Sequence, residues 1–147
     1  MPTAEDNCPQ ADADHALAEF EYTLKGNRLK LTSRRIIRDI QRLIIPTDDV
    51  NGLGISLTYS PKRVEEGNNE FNLSEISKVI FMLSPFEEYD RAPSGTIEVK
   101  YQIIPEPTVD RVELSGLVRD GKVSNKTGDV LTFSGTFNYG FSVPLKR

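Results

Sequence analysis

Side chains that carry out nucleophilic or zinc chemistry are scarce in this sequence of 147 residues, which has one histidine, His15, and one cysteine, Cys8. A Ser–His or Cys–His catalytic set needs an imidazole beside the nucleophile, and a zinc site needs several His or Cys ligands. We therefore expect neither in this chain. A single cysteine cannot form an internal disulfide, which favours a reducing compartment and leads us to expect a cytoplasmic protein.

Oxygen ligands are more plentiful, but their spacing does not form a known loop. Residues 48–52 (DDVNG) lack the alternate acids and the distal Glu of an EF-hand. Gly52-Leu53-Gly54 has neither the third glycine nor the Lys-Ser/Thr of a phosphate-binding loop. We predict no metal and no cofactor, and we interpret both stretches as turns.

Paired carboxylates could support acid–base chemistry without histidine. Four of them fall on the polar phase of predicted strands: Glu19, Glu21, Glu98 and Glu113. They would point inward only if a small barrel had a polar lumen, and small soluble barrels usually fill their interior with side chains. We therefore expect these acids to be solvated, and the chain not to be an enzyme.

The charges are segregated along the chain. Residues 1–24 carry six acids and no Lys or Arg, residues 25–45 carry seven bases and one acid, and the remainder has a net charge of −4. Adjacent blocks of opposite sign can attract each other or screen one another from a partner. The acidic and aperiodic residues 1–16 are predicted to be a flexible tail containing Cys8 and His15, followed by one domain over residues 17–147.

An amphipathic helix is predicted from Ser33, the N-cap, to Ile44, because the apolar residues recur at helical spacing and Pro46 follows. The opposite face is basic, since Arg35, Arg38 and Arg42 share it and Arg34 lies beside them. A solvated face with internal ion pairs is the simplest interpretation, and the functional one is a surface that binds a protein. Nucleic acid and anionic membranes are disfavoured, because no aromatic residues are interleaved and the rest of the chain is acidic.

Strand periodicity begins at Ala18 and continues to Leu24, followed by Gly26-Asn27 as a two-residue turn. A loop of that length would pair Leu24 with Leu29. Ile55, Leu57 and Tyr59 alternate as a further strand. Residues 60–70 and 87–95 are expected to be loops.

Residues 72–84 fit two structures: a capping box points to a helix, and the apolar run 79–83 to a buried strand. We expect a short helical turn that enters a strand. In the following strands, a bulge is predicted at Gly116-Leu117, and Asp120-Gly121 predicts a type I′ hairpin.

The last strand is the most regular one, since its apolar residues all occupy odd positions from Leu131 to Val143. This parity favours one long strand bent at Gly135 or Gly140 over a two-residue hairpin, although a hairpin with a three-residue loop would preserve it as well. Its aromatic stripe comprises Phe133, Phe137, Tyr139 and Phe141. These residues are expected to form the core or, alternatively, the wall of a cavity for an apolar ligand.

The sequence thus predicts a mainly β protein, all-β or α+β, with about seven strands and one helix. Strands with one apolar face belong to antiparallel sheets, so we expect a β-barrel or a two-layer β-sandwich. No apolar run reaches the length of a membrane helix. The functional hypothesis is a non-enzymatic binding or assembly module that contacts protein, either itself or another chain. The alternative is a small barrel enclosing an apolar small molecule, with carboxylate chemistry of the isomerase or cyclase kind.

Overall fold

The structure, a computed structural model, describes residues 11–38, 42–46, 53–58, 65–84 and 87–144. These residues form twelve strands and no helix, which confirms a mainly β protein and corrects the estimate of seven strands. The first six are β1 (Ala11–Asp12), β2 (His15–Leu24), β3 (Asn27–Ser33), β4 (Ile37–Arg38), β5 (Arg42–Pro46) and β6 (Gly54–Thr58). The others are β7 (Gly67–Asn72), β8 (Lys78–Ser84), β9 (Glu87–Tyr89), β10 (Arg91–Pro105), β11 (Val109–Ser124) and β12 (Val130–Pro144). Within this part of the chain, no helix could cross a membrane.

The strands form two separate antiparallel sheets rather than a closed barrel. The strand order is β1-β4-β5-β6-β8-β9 in sheet A and β3-β2-β12-β11-β10-β7 in sheet B. Their inner faces share one core. The ring of Phe81 in sheet A lies 5.0 Å from that of Tyr22 and 5.4 Å from that of Phe133, both in sheet B.

The strand predicted from Ala18 onward is β2, and its alternation determines which side chains reach the core. Ala18, Phe20 and Tyr22 are buried, whereas Glu19 and Glu21 are exposed. Successive side chains of a strand point to opposite faces, so a period of two separates core from solvent.

The register of the β2–β3 hairpin differs from the predicted one by two residues. The turn is formed by Lys25 and Gly26, both at positive φ, and it pairs Leu24 with Asn27 instead of Leu29. Positive φ at both central positions is the requirement of a type I′ turn, and Gly26 meets it at the second. A shift of two residues preserves the alternation, which is why apolar matching could not distinguish the two registers.

The predicted helix after Ser33 is wrong, because this segment forms β4 and β5, with Ile37 paired to Ile44. The Ser33 hydroxyl accepts a hydrogen bond from the Arg35 N–H (3.1 Å) and donates one to the Arg35 carbonyl (2.8 Å). Such local bonds compete with helix formation. Leu43 and Ile45 are buried and Ile44 is half-buried, the period of a strand. Branched isoleucines suit that pleated surface.

The ambiguous segment 72–84 leads into strand β8, as expected, but a turn without helical structure stands where a helical turn was predicted. The Asn72 N–H donates to Glu75 Oε1 at 3.0 Å, which is one of the two hydrogen bonds of the predicted capping box. The two flanking loops are only partly correct. Residues 67–72 form β7, and residues 87–95 contain β9 and the beginning of β10, while residues 60–64 lie outside the described residues.

Asp120-Gly121 does not turn the chain but forms a bulge within β11. The pairing of Val118 with Gly135 is followed by that of Gly121 with Phe133, so two residues of β11 lie opposite one of β12. Asp120 adopts φ +53°. The buried positions of β11 change from even to odd numbers across this bulge. The change of phase predicted at Gly116-Leu117 therefore occurs a few residues later.

Gly116 instead makes room for an aromatic ring. It lies directly opposite Phe137, and a Cβ built on it would overlap that ring. Phe137 is 1% exposed and lies in β12, which is the single long strand predicted from its parity. The glycine therefore determines how closely this ring packs beneath β11.

We expect Gly116→Ala to lower the free energy of unfolding by about 1–3 kcal/mol, the usual range for an overpacked core. Urea unfolding measures the change. Ser115→Ala, on the exposed face of the same strand, serves as the control and should lie near the wild type. In the Phe137→Leu background, Gly116→Ala should lower the free energy of unfolding by less than it does in the wild type. Strictly additive effects of the two substitutions would contradict the overlap.

The structure also predicts a loss of stability in alkali. Burial raises the pKa of Tyr22 above its ordinary value of 10.0. Burial, followed by the charges of Asp129 and Glu87, raises the pKa of Tyr89, partly offset by a hydrogen bond from Asn125. As the pH rises, these tyrosines therefore ionise in the unfolded chain before they ionise in the folded protein. Their contribution to the free energy of unfolding should be constant below about pH 10 and should fall as the pH rises above it.

Unfolding curves recorded across this pH range test the expectation, with Tyr22→Phe and Tyr89→Phe for comparison. The double variant should lose stability less steeply than the wild type above pH 10. Identical slopes would show that the two phenols ionise equally readily in both states.

Candidate functional site

The four arginines predicted to share a helix face lie on different elements. Arg34 and Arg35 follow β3 and are exposed, whereas Arg38 lies in β4 and Arg42 in β5. Because no helix forms in the described part of this segment, the four arginines do not share a helix face. Arg34 is nevertheless part of a second grouping, because it extends a series of bases that runs along β3.

We call this series the basic edge: strand β3 with the exposed bases Lys25, Arg28, Lys30 and Arg34. Among the described strands, β3 pairs with β2 alone and so borders sheet B. Residues 25–38 contain no acid. The four bases form no ion pair with any residue that the structure describes. Positive charge on an edge strand protects it from unspecific pairing and also selects an acidic partner.

The two faces of β3 differ in chemistry. Arg28, Lys30 and Thr32 share the outer face, while Leu29 and Leu31 point to the inner one. Leu31 is 1% exposed, but Leu29 is 42% exposed. An additional strand beside β3 would cover Leu29, so the edge offers an uncovered apolar position between two bases.

Strand β2 shows which sequence pairs well with β3. Glu21 lies opposite Lys30, and Tyr22 lies opposite Leu29. Acid thus faces base on the outer side, and an apolar residue faces leucine on the inner side. Cross-strand pairs of this kind stabilise a sheet by about 0.2–1 kcal/mol each. A partner on the other side of β3 would meet the same pattern.

A shallow groove runs along the outer face of sheet B beside the basic edge. Its volume is about 390 Å³, and Glu19, Glu21, Lys30, Thr32, Ser134 and Thr136 are among the residues that line it. Both glutamates are exposed, as the polar phase predicted. Glu98 and Glu113 also lie on this outer face and are half-buried. No group of three metal-binding side chains occurs among the described residues.

The aromatic stripe lies on the inner face of β12. Phe133, Phe137 and Tyr139 are buried and Phe141 is half-buried. The ring centroids of Phe137 and Tyr139 are 6.2 Å apart, and those of Tyr139 and Phe141 are 6.4 Å apart. These residues pack in the shared core or against it. Their role as the wall of a ligand cavity stays a prediction, and the barrel on which it depended is not formed.

His15 is the residue that sequence reasoning placed incorrectly, since it begins β2 instead of lying in a tail. Its Nε2 is 3.0 Å from Glu113 Oε2, and Arg111 Nε donates to Glu113 Oε1 at 2.7 Å. The contact spans β12, where the intervening residue is Gly140. A Cβ on Gly140 would overlap the imidazole and the carboxylate. Only the register of three neighbouring strands could have revealed this cluster. Cys8, the other residue predicted to lie in the tail, is outside the described residues.

Comparison with protein-family models, with curated proteins and with solved structures finds no match. The basic edge is the strongest basis for a function. Within the described residues it combines charge without an ion pair, an exposed apolar side chain and a strand with one neighbour.

We expect Gly140→Ala to separate His15 from Glu113 at a cost below about 1 kcal/mol, because both groups are ends of flexible, partly exposed side chains. The imidazole resonances of His15 in NMR spectra report the contact. Glu113→Gln should shift them in the wild type and leave them in place in the Gly140→Ala background. Equal shifts in both backgrounds would contradict the spacing role of Gly140, and Glu106→Gln, at an exposed position in a different part of the chain, is the control.

Proposed function

We propose that this chain is a non-enzymatic protein-binding module that takes up an acidic, extended segment of a partner along the basic edge. The observation that carries the proposal is Leu29, an inward-phase leucine left 42% exposed between Arg28 and Lys30 on a strand with one described neighbour. A partner strand would cover it and neutralise both bases.

Backbone hydrogen bonds supply the affinity in this mode of binding, and alternate side chains supply the specificity. On the outer face, carboxylates of the partner would oppose Arg28 and Lys30. On the inner face, an apolar residue would pack against Leu29. The preferred segment therefore carries acidic residues on its outer face and an apolar residue on its inner face, as β2 does at Glu19, Phe20, Glu21 and Tyr22.

A protein segment fits this edge better than a nucleic acid does. The bases alternate with leucines along one strand, whereas single-stranded nucleic acids are bound by basic grooves with stacking aromatic side chains. The net charge of −4 would also repel a polyanion over the rest of the surface. A cytoplasmic setting is part of the proposal, since the only cysteine is Cys8.

An apolar small-molecule ligand has less support. The aromatic stripe that would line its cavity contacts Phe81 and its own neighbours within the core. The groove beside the basic edge is lined by charged and hydroxyl side chains instead. No described feature favours carboxylate catalysis over binding.

Binding of a labelled peptide tests the proposal. A capped peptide of about eight alternating valine and glutamate residues, the length of an ordinary strand, should bind in a fluorescence anisotropy titration. The affinity should fall with added salt, because the outer contacts are ionic. Arg28→Glu combined with Lys30→Glu should weaken binding about tenfold or more, equivalent to a loss of about 1.4 kcal/mol.

Two controls make the result specific. Lys122→Glu combined with Lys126→Glu changes the net charge equally at exposed positions outside β3 and should preserve binding. A valine–lysine peptide should not bind. Failure of the acidic peptide to bind, or equal losses in both double variants, would exclude the basic edge as the site.

A further inference from the structure

The opposite border of sheet B is acidic. We call it the acidic edge: strand β7 with the exposed residues Glu65, Glu66 and Glu70. Among the described strands, β7 pairs with β10 alone. Residues 64–77 contain no Lys, Arg or His. Sheet B therefore has a positive border at one end and a negative border at the other.

The side chain of Asn69 connects residue Glu65 to strands β7 and β10 by hydrogen bonds. Its side-chain amide donates to the Glu65 carbonyl at 2.7 Å and accepts from the Glu65 N–H at 2.9 Å. The same amide donates to the Val99 carbonyl on β10 at 3.2 Å. These bonds fix the segment that carries Glu65 and Glu66 against β7. The three acids consequently belong to one border of the sheet.

Glu70 lies opposite another acid. Its cross-strand neighbour on β10 is Glu98, and like charges in this position destabilise a sheet. Arg119 Nη1 is 3.9 Å from Glu98 Oε1, which partly compensates that carboxylate. Glu70 itself forms no ion pair with a described residue. A base placed beside it from outside the sheet would relieve the repulsion.

The strand order allows the basic edge of one copy to pair with the acidic edge of another. In the described part of the chain, sheet B has six strands and every adjacent pair is antiparallel, so its first and last strands, β3 and β7, run in opposite directions. If a second copy continues the sheet, its β7 meets β3 of the first copy in antiparallel orientation. The inner and outer faces of the two sheets also match. An odd number of strands would have placed the two edges parallel.

The register places complementary charges close to each other. Thr32, Glu19, Thr136, Leu117, Glu98 and Glu70 form one row across the six strands. A sheet continued without stagger puts Glu70 of one copy opposite Thr32 of the next and diagonal to Lys30. Diagonal neighbours in a sheet lie about 7–8 Å apart, within reach of a long side chain.

We propose that the acidic segment bound by the basic edge is β7 of a second copy, so that copies join head to tail through sheet B. This inference rests on the proposed function of β3 and names its partner. Such a contact is heterologous, because two different surfaces meet. It leaves one basic and one acidic edge unused at the ends, so growth continues until a ring closes or an open chain forms.

Charge reversal and mixing test the assembly. The wild type should show an average mass in sedimentation equilibrium that rises with protein concentration and falls with salt. Arg28→Glu with Lys30→Glu reverses the basic edge, and Glu66→Lys with Glu70→Lys reverses the acidic edge. Each double variant alone should remain monomeric, because its two edges then carry like charge.

An equimolar mixture of the two double variants should restore assembly, since each reversed edge then meets an edge of opposite charge. The quadruple variant should assemble by itself for the same reason. This recovery also shows that the reversed chains are folded. Lys122→Glu with Lys126→Glu, and Asp14→Lys with Glu106→Lys, are controls of equal charge change at exposed positions and should assemble like the wild type.

A wild type that stays monomeric, or a mixture that does not assemble, would overturn the inference. So would assembly that depends on the basic edge and is insensitive to reversal of the acidic one. In each of these cases, binding of the valine–glutamate peptide would leave the proposed function of β3 intact. Loss of peptide binding as well would overturn both.

Discussion

The packing of Phe81 against Tyr22 and Phe133 is the interaction on which the architecture depends, because it joins the inner faces of the two sheets. An antiparallel sheet with one apolar face is stable in water only when that face is covered. Each sheet here covers the other. The outer faces and the borders of the sheets are thereby left to carry charge. The charged side chains that define the basic and acidic edges of sheet B form no ion pair with a described residue.

The alternation that builds the core also made much of the fold predictable from sequence. Ala18, Phe20 and Tyr22, and the odd-numbered apolar residues of β12, identified buried faces correctly because a period of two has one structural meaning over a long strand. The glutamates of the polar phase lie on the outer face for the same reason. Parity alone distinguished one long strand from a two-residue hairpin at the C-terminal end.

The errors arose where one local pattern fits two structures. Ile36, Ile37, Leu43 and Ile44 satisfy a helical spacing, yet pairing between strands decided their conformation. Asp120-Gly121 suits a turn and equally suits a bulge. His15 was assigned to a tail because residues 1–16 are acidic and aperiodic, and the sequence does not show that Gly140 lies between His15 and Glu113. The basic edge was detected as charge, but its position at the border of a sheet required the strand order.

The bulge in β11 has a consequence for how this fold tolerates changes in chain length. The inward residues of β11 are even-numbered before Asp120 and odd-numbered after it. A residue inserted or deleted elsewhere in the long strands would turn an apolar row toward water. At the bulge the extra residue is already accommodated, with Gly95 on β10 leaving room for the carbonyl oxygens of Arg119 and Asp120. The bulge therefore restores the phase: β11, with 16 residues, can pair with β12, with 15, along its whole length.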